Sequence, residues 1–382
     1  MQALYAFKQA EKSDYSLALD RITETFSPNL NSMQVQNAKQ LEGNRQLATL
    51  LFEENHRQPD AEFGDESASP EVLVTVANAI SFYHHQVRKD GQSFAKAMLA
   101  EAERIYDHYL LILLIPVELA DMARQEADDR KNKYLNAYPA SPGDLNLYNN
   151  GVIRSLRESK PLETERIRRG LSWDPERNLL RKVYRDVLEN DPVYQQYVRT
   201  AEVLPAEDRK MVPYLFKNLV FEQELLHTYF EEADLNWTEN GEIIKGMLSK
   251  TVKTAAGEGS TVNLLALSTN WEDDREFFIQ LYQSTVENDE KYEQLIVEKV
   301  ENWDPERVAM LDKILLKMAI SEMMIFPGIP VKVTINEYIE LSKLYSTPKS
   351  KQFINGVLDV IALELVNSGA VRKSGRGLVD NK

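Results

Sequence analysis

The stretch ILLKMAISEMMIFPGIPVKVTINEYIELSKLYSTPKSKQFINGVLD, residues 314–359, reads as three helical patterns separated by two proline-containing turns. In the first pattern Val308, Leu311, Leu315, Met318 and Ile325 recur at helical spacing, and Glu322 falls on the same apolar stripe. A carboxylate there is costly unless it is hydrogen-bonded. The reading expects Glu322 to accept backbone N–H groups at the start of the next helix, a structural role rather than a catalytic one. Asp304-Pro305-Glu306 marks the start of this helix, with an N-capping acid followed by proline at the first position. Phe326-Pro327-Gly328-Ile329-Pro330 is a turn. The second helix ends near Tyr345 and places Tyr338, Leu341 and Tyr345 on one face. Thr334 and Glu337 have capping-box spacing, although Pro330 equally marks a helix start. Strand-like alternation is confined to residues 331–335. After Ser346-Thr347-Pro348, a third helix presents Phe353, Val357 and Ile361, with Ile354, Leu358 and Leu365 alongside. Gly356 lies inside it, where glycine is unfavourable, and is expected to admit a close helix crossing.

Helical patterning also dominates the rest of the 382 residues. Residues 1–26 carry Leu4, Phe7, Leu17 and Ile22 among good helix formers, stopped by Ser27-Pro28. Residues 92–135 read as one long helical segment, apolar all round at 110–115 and therefore enclosed, with Pro116 expected to kink or break it. Residues 64–70 and 140–151 are loops, 254–261 is a linker, and 368–382 is a flexible basic tail. We divide the chain into a first helix (1–26), a helical insertion (27–260), a C-terminal helical domain (261–367) and that tail. Residues 177–226 overlay 275–324 at a constant offset of 98, including Glu189-Asn190-Asp191 with Tyr194 against Glu287-Asn288-Asp289 with Tyr292. The insertion can therefore be read as a degenerate duplicated bundle.

Composition narrows the function classes. The chain has no Cys, 45 Lys and Arg, and 60 Asp and Glu, for a net charge of −15. Thiol chemistry and disulfides are excluded. There is no signal-peptide pattern and no apolar run long enough to span a membrane, so the expected location is cytoplasmic. The charge is uneven: residues 307–382 hold 11 basic and 7 acidic side chains, net +4, which leaves −19 on the remainder. Such a basic segment suggests a local anion-binding face. Residues 154–185 also hold ten Lys or Arg against five acids, with Arg166, Arg168 and Arg169 clustered, and read best as an ordinary solvated helix. Glu53/His56 and Glu224/His227 have the Glu-x-x-His spacing used by di-iron bundles, a frequency expected by chance here. No phosphate loop, nucleophile elbow or dinucleotide fingerprint occurs. No enzyme, cofactor or metal is expected.

Several strings in the quoted stretch resemble the C-terminal signature of the NusB transcription antitermination family: Ala319 with Glu322, residues 329–337, residues 339–343 and residues 353–359. Residues 277–303 look like the helix pair preceding that signature, and Gln2-Ala3-Leu4-Tyr5 is similar to the end of the family's first helix. The resemblance covers roughly the first 20 and the last 115 residues. It implies an all-α pair of small helical bundles, here with a large helical insertion. It also implies binding of boxA-type RNA together with the small-subunit ribosomal protein also called NusE, within a transcription elongation complex. In the family an Arg-rich stretch precedes the Gln-Ala-Leu-Tyr string. Here Met1 stands directly before Gln2, and the expectation is a true start further upstream. The candidate RNA-binding residues are Gln2, Tyr5, Lys332, Lys349, Ser350, Lys351, Gln352, Phe353 and Asn355, where cations and a helix start suit phosphate and the rings suit base stacking. Relatives often carry an acid where Lys349 stands. Glu322, Asn336, Glu337 and Gly356 are expected to be structural. Two rival readings are a protein-binding scaffold with little RNA affinity and a di-iron helical bundle.

Overall fold

The computed structural model describes residues 1–28, 31, 36–59, 68–132, 143–255, 262–299 and 308–378. Among these the architecture is all-α, with no strand. The expected helix start at 304–306 and most of the loops at 64–70 and 254–261 lie outside the described residues. The chain forms two compact units. One comprises Met1–Leu99 and Glu272–Lys382, the other Ala100–Trp271. No described helix is long and apolar enough to cross a membrane.

In the first unit, α1 (Gln2–Thr25), α2 (Ala38–Asn55) and the beginning of α3 (Pro70–Asn132) enclose a small core around Ile22, Phe52 and Val76. Local chemistry sets the boundaries. The Asn37 side chain accepts the Gln40 N–H to start α2, and Ser69 Oγ accepts Val72 N–H with Pro70 at the first position of α3. Leu17 is exposed. The inward face is Leu4, Phe7, Asp14, Ala18 and Ile22.

A second core of this unit is built on α14 (Met310–Ile325), with α12 (Trp271–Glu287), α13 (Asp289–Lys299), α15 (Val331–Tyr345) and α16 (Ser350–Asn367). Helix α14 is buried continuously from Ile314 to Met323. Leu315 and Met318 are buried, while Val308, Leu311 and Ile325 are half-buried. All six apolar residues expected on the third helix are buried in α16. Residues 331–335, strand-like in sequence, form the first turn of α15, whose N-cap is Pro330 rather than a capping box.

Two expectations are corrected here. A Cβ placed on Gly356 would meet nothing within 4 Å, so this glycine serves no close crossing. The segment read as a flexible tail is docked as far as Leu378. Val371 is buried, Ser374 N–H donates to Pro327 O, and Lys373 Nζ caps the end of α14 by donating to Met323 O (2.9 Å) and Phe326 O (3.0 Å). An apolar anchor and a lysine that satisfies helix-end carbonyls outweigh the polar composition of this segment.

The second unit packs the remainder of α3 with α4 (Asn146–Asn149), α5 (Gly151–Arg157), α6 (Lys160–Arg169), α7 (Arg177–Lys182), α8 (Pro192–Arg199), α9 (Pro205–Leu215), α10 (Glu224–Ala233) and α11 (Trp237–Ala255). Helices α7 and α9 run on into π-helical turns at Val183–Leu188 and Phe216–Glu222. Helix α6 is bounded by its sequence: Ser159 accepts Leu162 N–H, Pro161 sits in the first turn, and Gly170 ends the helix at φ 65°. Helix α3 is not broken at Pro116. It runs through it, because Leu110, Ile112, Leu113 and Ile115 are all enclosed and hold both sides of the proline in place.

The two halves of the offset-98 repeat share local structure. Asn190 Nδ2 closes its helix on Arg185 O and Asp186 O, and Asn288 Nδ2 does so on Ser284 O. Tyr184, Tyr194, Tyr282 and Tyr292 are all buried. Helix order after each is also alike, from α7 to α11 and from α12 to α16.

Gly356→Ala should stabilise the chain by about 1 kcal/mol, because the side chain adds helix propensity in open space. Urea unfolding of the two proteins measures the difference.

Candidate nucleic-acid interface

The turn between α15 and α16 is held from beneath by one carboxylate. Asp312, buried in the first turn of α14, accepts Ser346 Oγ–H on Oδ1 at 2.5 Å and Ser350 Oγ–H on Oδ2 at 2.7 Å. Ser350 Oγ also lies 2.8 Å from Thr347 Oγ1. This fixes the backbone around Lys349, the N-cap of α16. Lys349, Lys351 and Gln352 project into solvent. Asn355 is half-buried and donates to Asp359. Ser350 and Phe353, expected among the RNA contacts, face inward: the hydroxyl is committed to Asp312 and the ring to the core.

Lys332 is exposed but stands at the other end of α15, about 20 Å away along a 15-residue helix. Gln2 and Tyr5 share an exposed face of α1 with Gln9, at helical spacing. Gln9 Nε2 donates to Met310 Sδ at 3.2 Å, two residues before Asp312, so this face approaches the beginning of α14. The expected residues therefore fall on three places: the α15–α16 turn, the exposed face of α1 with Gln2 and Tyr5, and Lys332. Docking of the C-terminal segment adds exposed Arg372 and Arg376 on the Pro327 side. Asn336 and Glu337 are exposed.

Glu322 is buried, as its place on the apolar stripe requires. Its donors differ from those expected: Thr334 Oγ1 donates at 2.7 Å and Tyr338 Oη at 3.1 Å, both side chains of α15 rather than backbone groups. Burial pushes its carboxyl above the ordinary range, while the two hydroxyls and the charge of Lys373 pull it down.

Sequence reasoning missed the ion network on α14. Lys317, buried, donates to Asp289 at 2.7 Å and Glu293 at 2.9 Å. Lys8 reaches Asp289 at 2.8 Å, and Lys313 reaches Glu293 at 2.8 Å. A groove of about 1270 Å³ runs beside the network, lined also by Lys12, Tyr15, His56 and Arg57. Its lining carries six Lys or Arg and six Asp or Glu, a balance that does not suit a phosphate track.

Residues of the rival readings also lie among the described residues. No group of three or more metal-binding side chains is placed to hold an ion among them. His56 Nδ1 faces Glu53 O at 2.9 Å, and His227 pairs with Glu231 at 3.3 Å. In the 154–185 region Arg157, Arg166, Arg168, Arg169 and Arg185 are all engaged by acids, which fits a solvated, ion-paired surface.

Residues 243–363 match the model of the NusB family. The C-terminal region is a NusB-family domain. The chain is 41% identical over 105 residues to the transcription antitermination protein NusB of Salinibacter ruber, covering 28% of this chain and 66% of the relative. It is 42% identical over 106 residues to the protein of the same name from Chloroherpeton thalassium, covering 28% and 50%, and 43% identical over 94 residues to that from Koribacter versatilis, covering 25% and 64%. The chain thus spans from half to about two thirds of the length of these NusB relatives. A solved structure of T. maritima NusB is 29% identical and covers 31% of this chain and 75% of its own, at a TM-score of 0.24, too low to carry an argument about the fold.

Replacing Glu322 separates its roles. Glu322→Ala should cost about 2–3 kcal/mol by leaving two buried hydroxyls without their acceptor. Glu322→Gln should be milder. Because the folded chain holds the Glu322 proton more tightly than the unfolded chain, the wild type gains stability as pH falls from the raised value toward the ordinary carboxylate range, and the Gln variant loses that component. Urea midpoints across that pH range test both statements.

Proposed function

We propose that the chain acts in transcription antitermination as a non-enzymatic RNA-binding adaptor. In this reading the NusB-family domain binds boxA-type RNA together with the small-subunit ribosomal protein NusE, within the elongation complex in the cytoplasm. The observation that carries the proposal is the pairing of a family match over residues 243–363 with two exposed lysines, Lys349 and Lys351, on a turn fixed by Asp312. A helix start flanked by cations is a good phosphate site. Tyr5, with 43% of its surface exposed, is available to stack on an unpaired base. Lys332, Gln2, Gln352 and Asn355 extend the contact, whereas Ser350 and Phe353 support it from within.

The residues read as the helical insertion, 27–260, supply most of the second unit and also residues 27–99 of the first. A scaffold reading is favoured by one feature of the second unit: Leu235 is 95% exposed, in a stretch containing Glu231, Glu232 and Glu239 that is suited to protein rather than to RNA.

A salt-titrated binding assay with boxA-like and scrambled RNA, with and without the ribosomal protein, tests the proposal. The boxA-like RNA should bind more tightly, and the partner should strengthen it. Lys349→Ala with Lys351→Ala should weaken binding at least several-fold and reduce the salt slope by about 1.4, two single-strand phosphate contacts. Equal weak binding of both RNAs under all conditions favours the scaffold.

A further inference from the structure

The second unit contains a small cavity that none of the functions above uses. It measures about 150 Å³ and lies between the two π-helical turns, Val183–Leu188 and Phe216–Glu222. Wide turns of this kind are rare and are found mostly at functional positions. The walls are apolar at Leu188, Leu215 and Leu219 and polar at Asp191, Tyr214 and Asn218, with Glu222 at the rim. Val187 adds to the apolar side and Gln223 to the polar side, so the lining offers both a surface for carbon and convergent polar groups.

Asp191 is the chemical centre. Its Oδ1 accepts the Tyr194 N–H at 2.8 Å, capping α8, and its Oδ2 accepts the Tyr214 hydroxyl at 2.7 Å. An ionised carboxylate offers about four acceptor positions, so roughly two remain. No ion pair to Asp191 occurs among the described residues, and the cavity lining contains no Lys, Arg or His.

The offset-98 repeat shows what this carboxylate lacks. Asp191 corresponds to Asp289, which receives the ammonium groups of Lys8 and Lys317. At the same offset Lys317 corresponds to Leu219 and Lys313 to Leu215. Both leucines line the cavity beside Asp191. In the first unit lysine ammonium groups pair with the corresponding acid at the edge of the groove. In the second unit shorter apolar side chains leave the acid facing a cavity.

We propose that this cavity binds a small organic ammonium ion, its charge on Asp191 and its carbon chain against Leu215 and Leu219. The volume equals about five water molecules at their share of the liquid, enough for a primary amine of a few carbons. Asn218 offers a further acceptor, and Glu222 in the lining is paired with Lys217 at 3.5 Å.

Isothermal titration calorimetry on the full chain tests this with three probes of equal carbon number: propylammonium chloride, 1-propanol and sodium propionate, at matched ionic strength. Propylammonium should bind saturably with one equivalent, and the alcohol and the acid should not. Asp191→Asn retains the oxygen that caps α8 and turns an NH2 donor toward the Tyr214 hydroxyl oxygen, which can accept it, while removing the charge. It should leave the unfolding midpoint nearly unchanged and weaken propylammonium binding by roughly tenfold or more. Glu222→Gln should weaken it less. No saturable heat with propylammonium, equal binding of propanol, or full affinity in a folded Asp191→Asn protein would each overturn the proposal.

Discussion

A helix enclosed along most of its length must still satisfy its charges, and α14 buries three. Asp312, Lys317 and Glu322 are five residues apart, so successive charges rotate by roughly 140° around the axis and point to different neighbours. Each finds a different solution. Asp312 takes hydroxyls from the α15–α16 turn, Lys317 takes two acids of α13, and Glu322 takes two hydroxyls of α15. Breaking a buried pair by removing one partner costs about 3–5 kcal/mol, far more than the net worth of the pair. The three charges therefore act mainly as constraints. They specify which surfaces of α13, α15 and the α16 start may pack against α14, and in which register.

That specification reaches the candidate interface. Lys349 and Lys351 lie on either side of Ser350, whose hydroxyl is tied to Asp312. The backbone that presents them is set before any ligand arrives, which reduces the ordering cost of binding. The same logic explains the inward placement of Ser350 and Phe353: one holds the turn to α14, the other seats α16 in the core.

What the sequence could reveal followed the range of each interaction. The apolar stripe of α16 and the enclosure of residues 110–115 depend on local periodicity, and both were legible. The family strings located the C-terminal domain for the same reason. Glu322 was identified as buried and bonded, but its donors, Thr334 and Tyr338, belong to another helix and were not. Lys317 was overlooked altogether, since Lys8 and Asp289 in its network are separated by 281 residues. A further signal was available in the five-residue spacing of charges along an apolar helix, which only an all-round burial explains. Local rules failed where packing overruled them: Pro116 inside α3, Gly356 with no neighbour, and a polar C-terminal segment anchored by Val371 and Lys373.

The claim that a buried charge on α14 organises the turn proposed to bind RNA is tested most directly by Asp312→Ala, with RNA affinity and unfolding free energy measured on the same preparation. The account predicts a protein that keeps its helical content, loses about 2–3 kcal/mol of stability, and binds boxA-like RNA several-fold more weakly although every exposed cation is retained. RNA affinity equal to that of the wild type, in a protein destabilised by that amount, would contradict it.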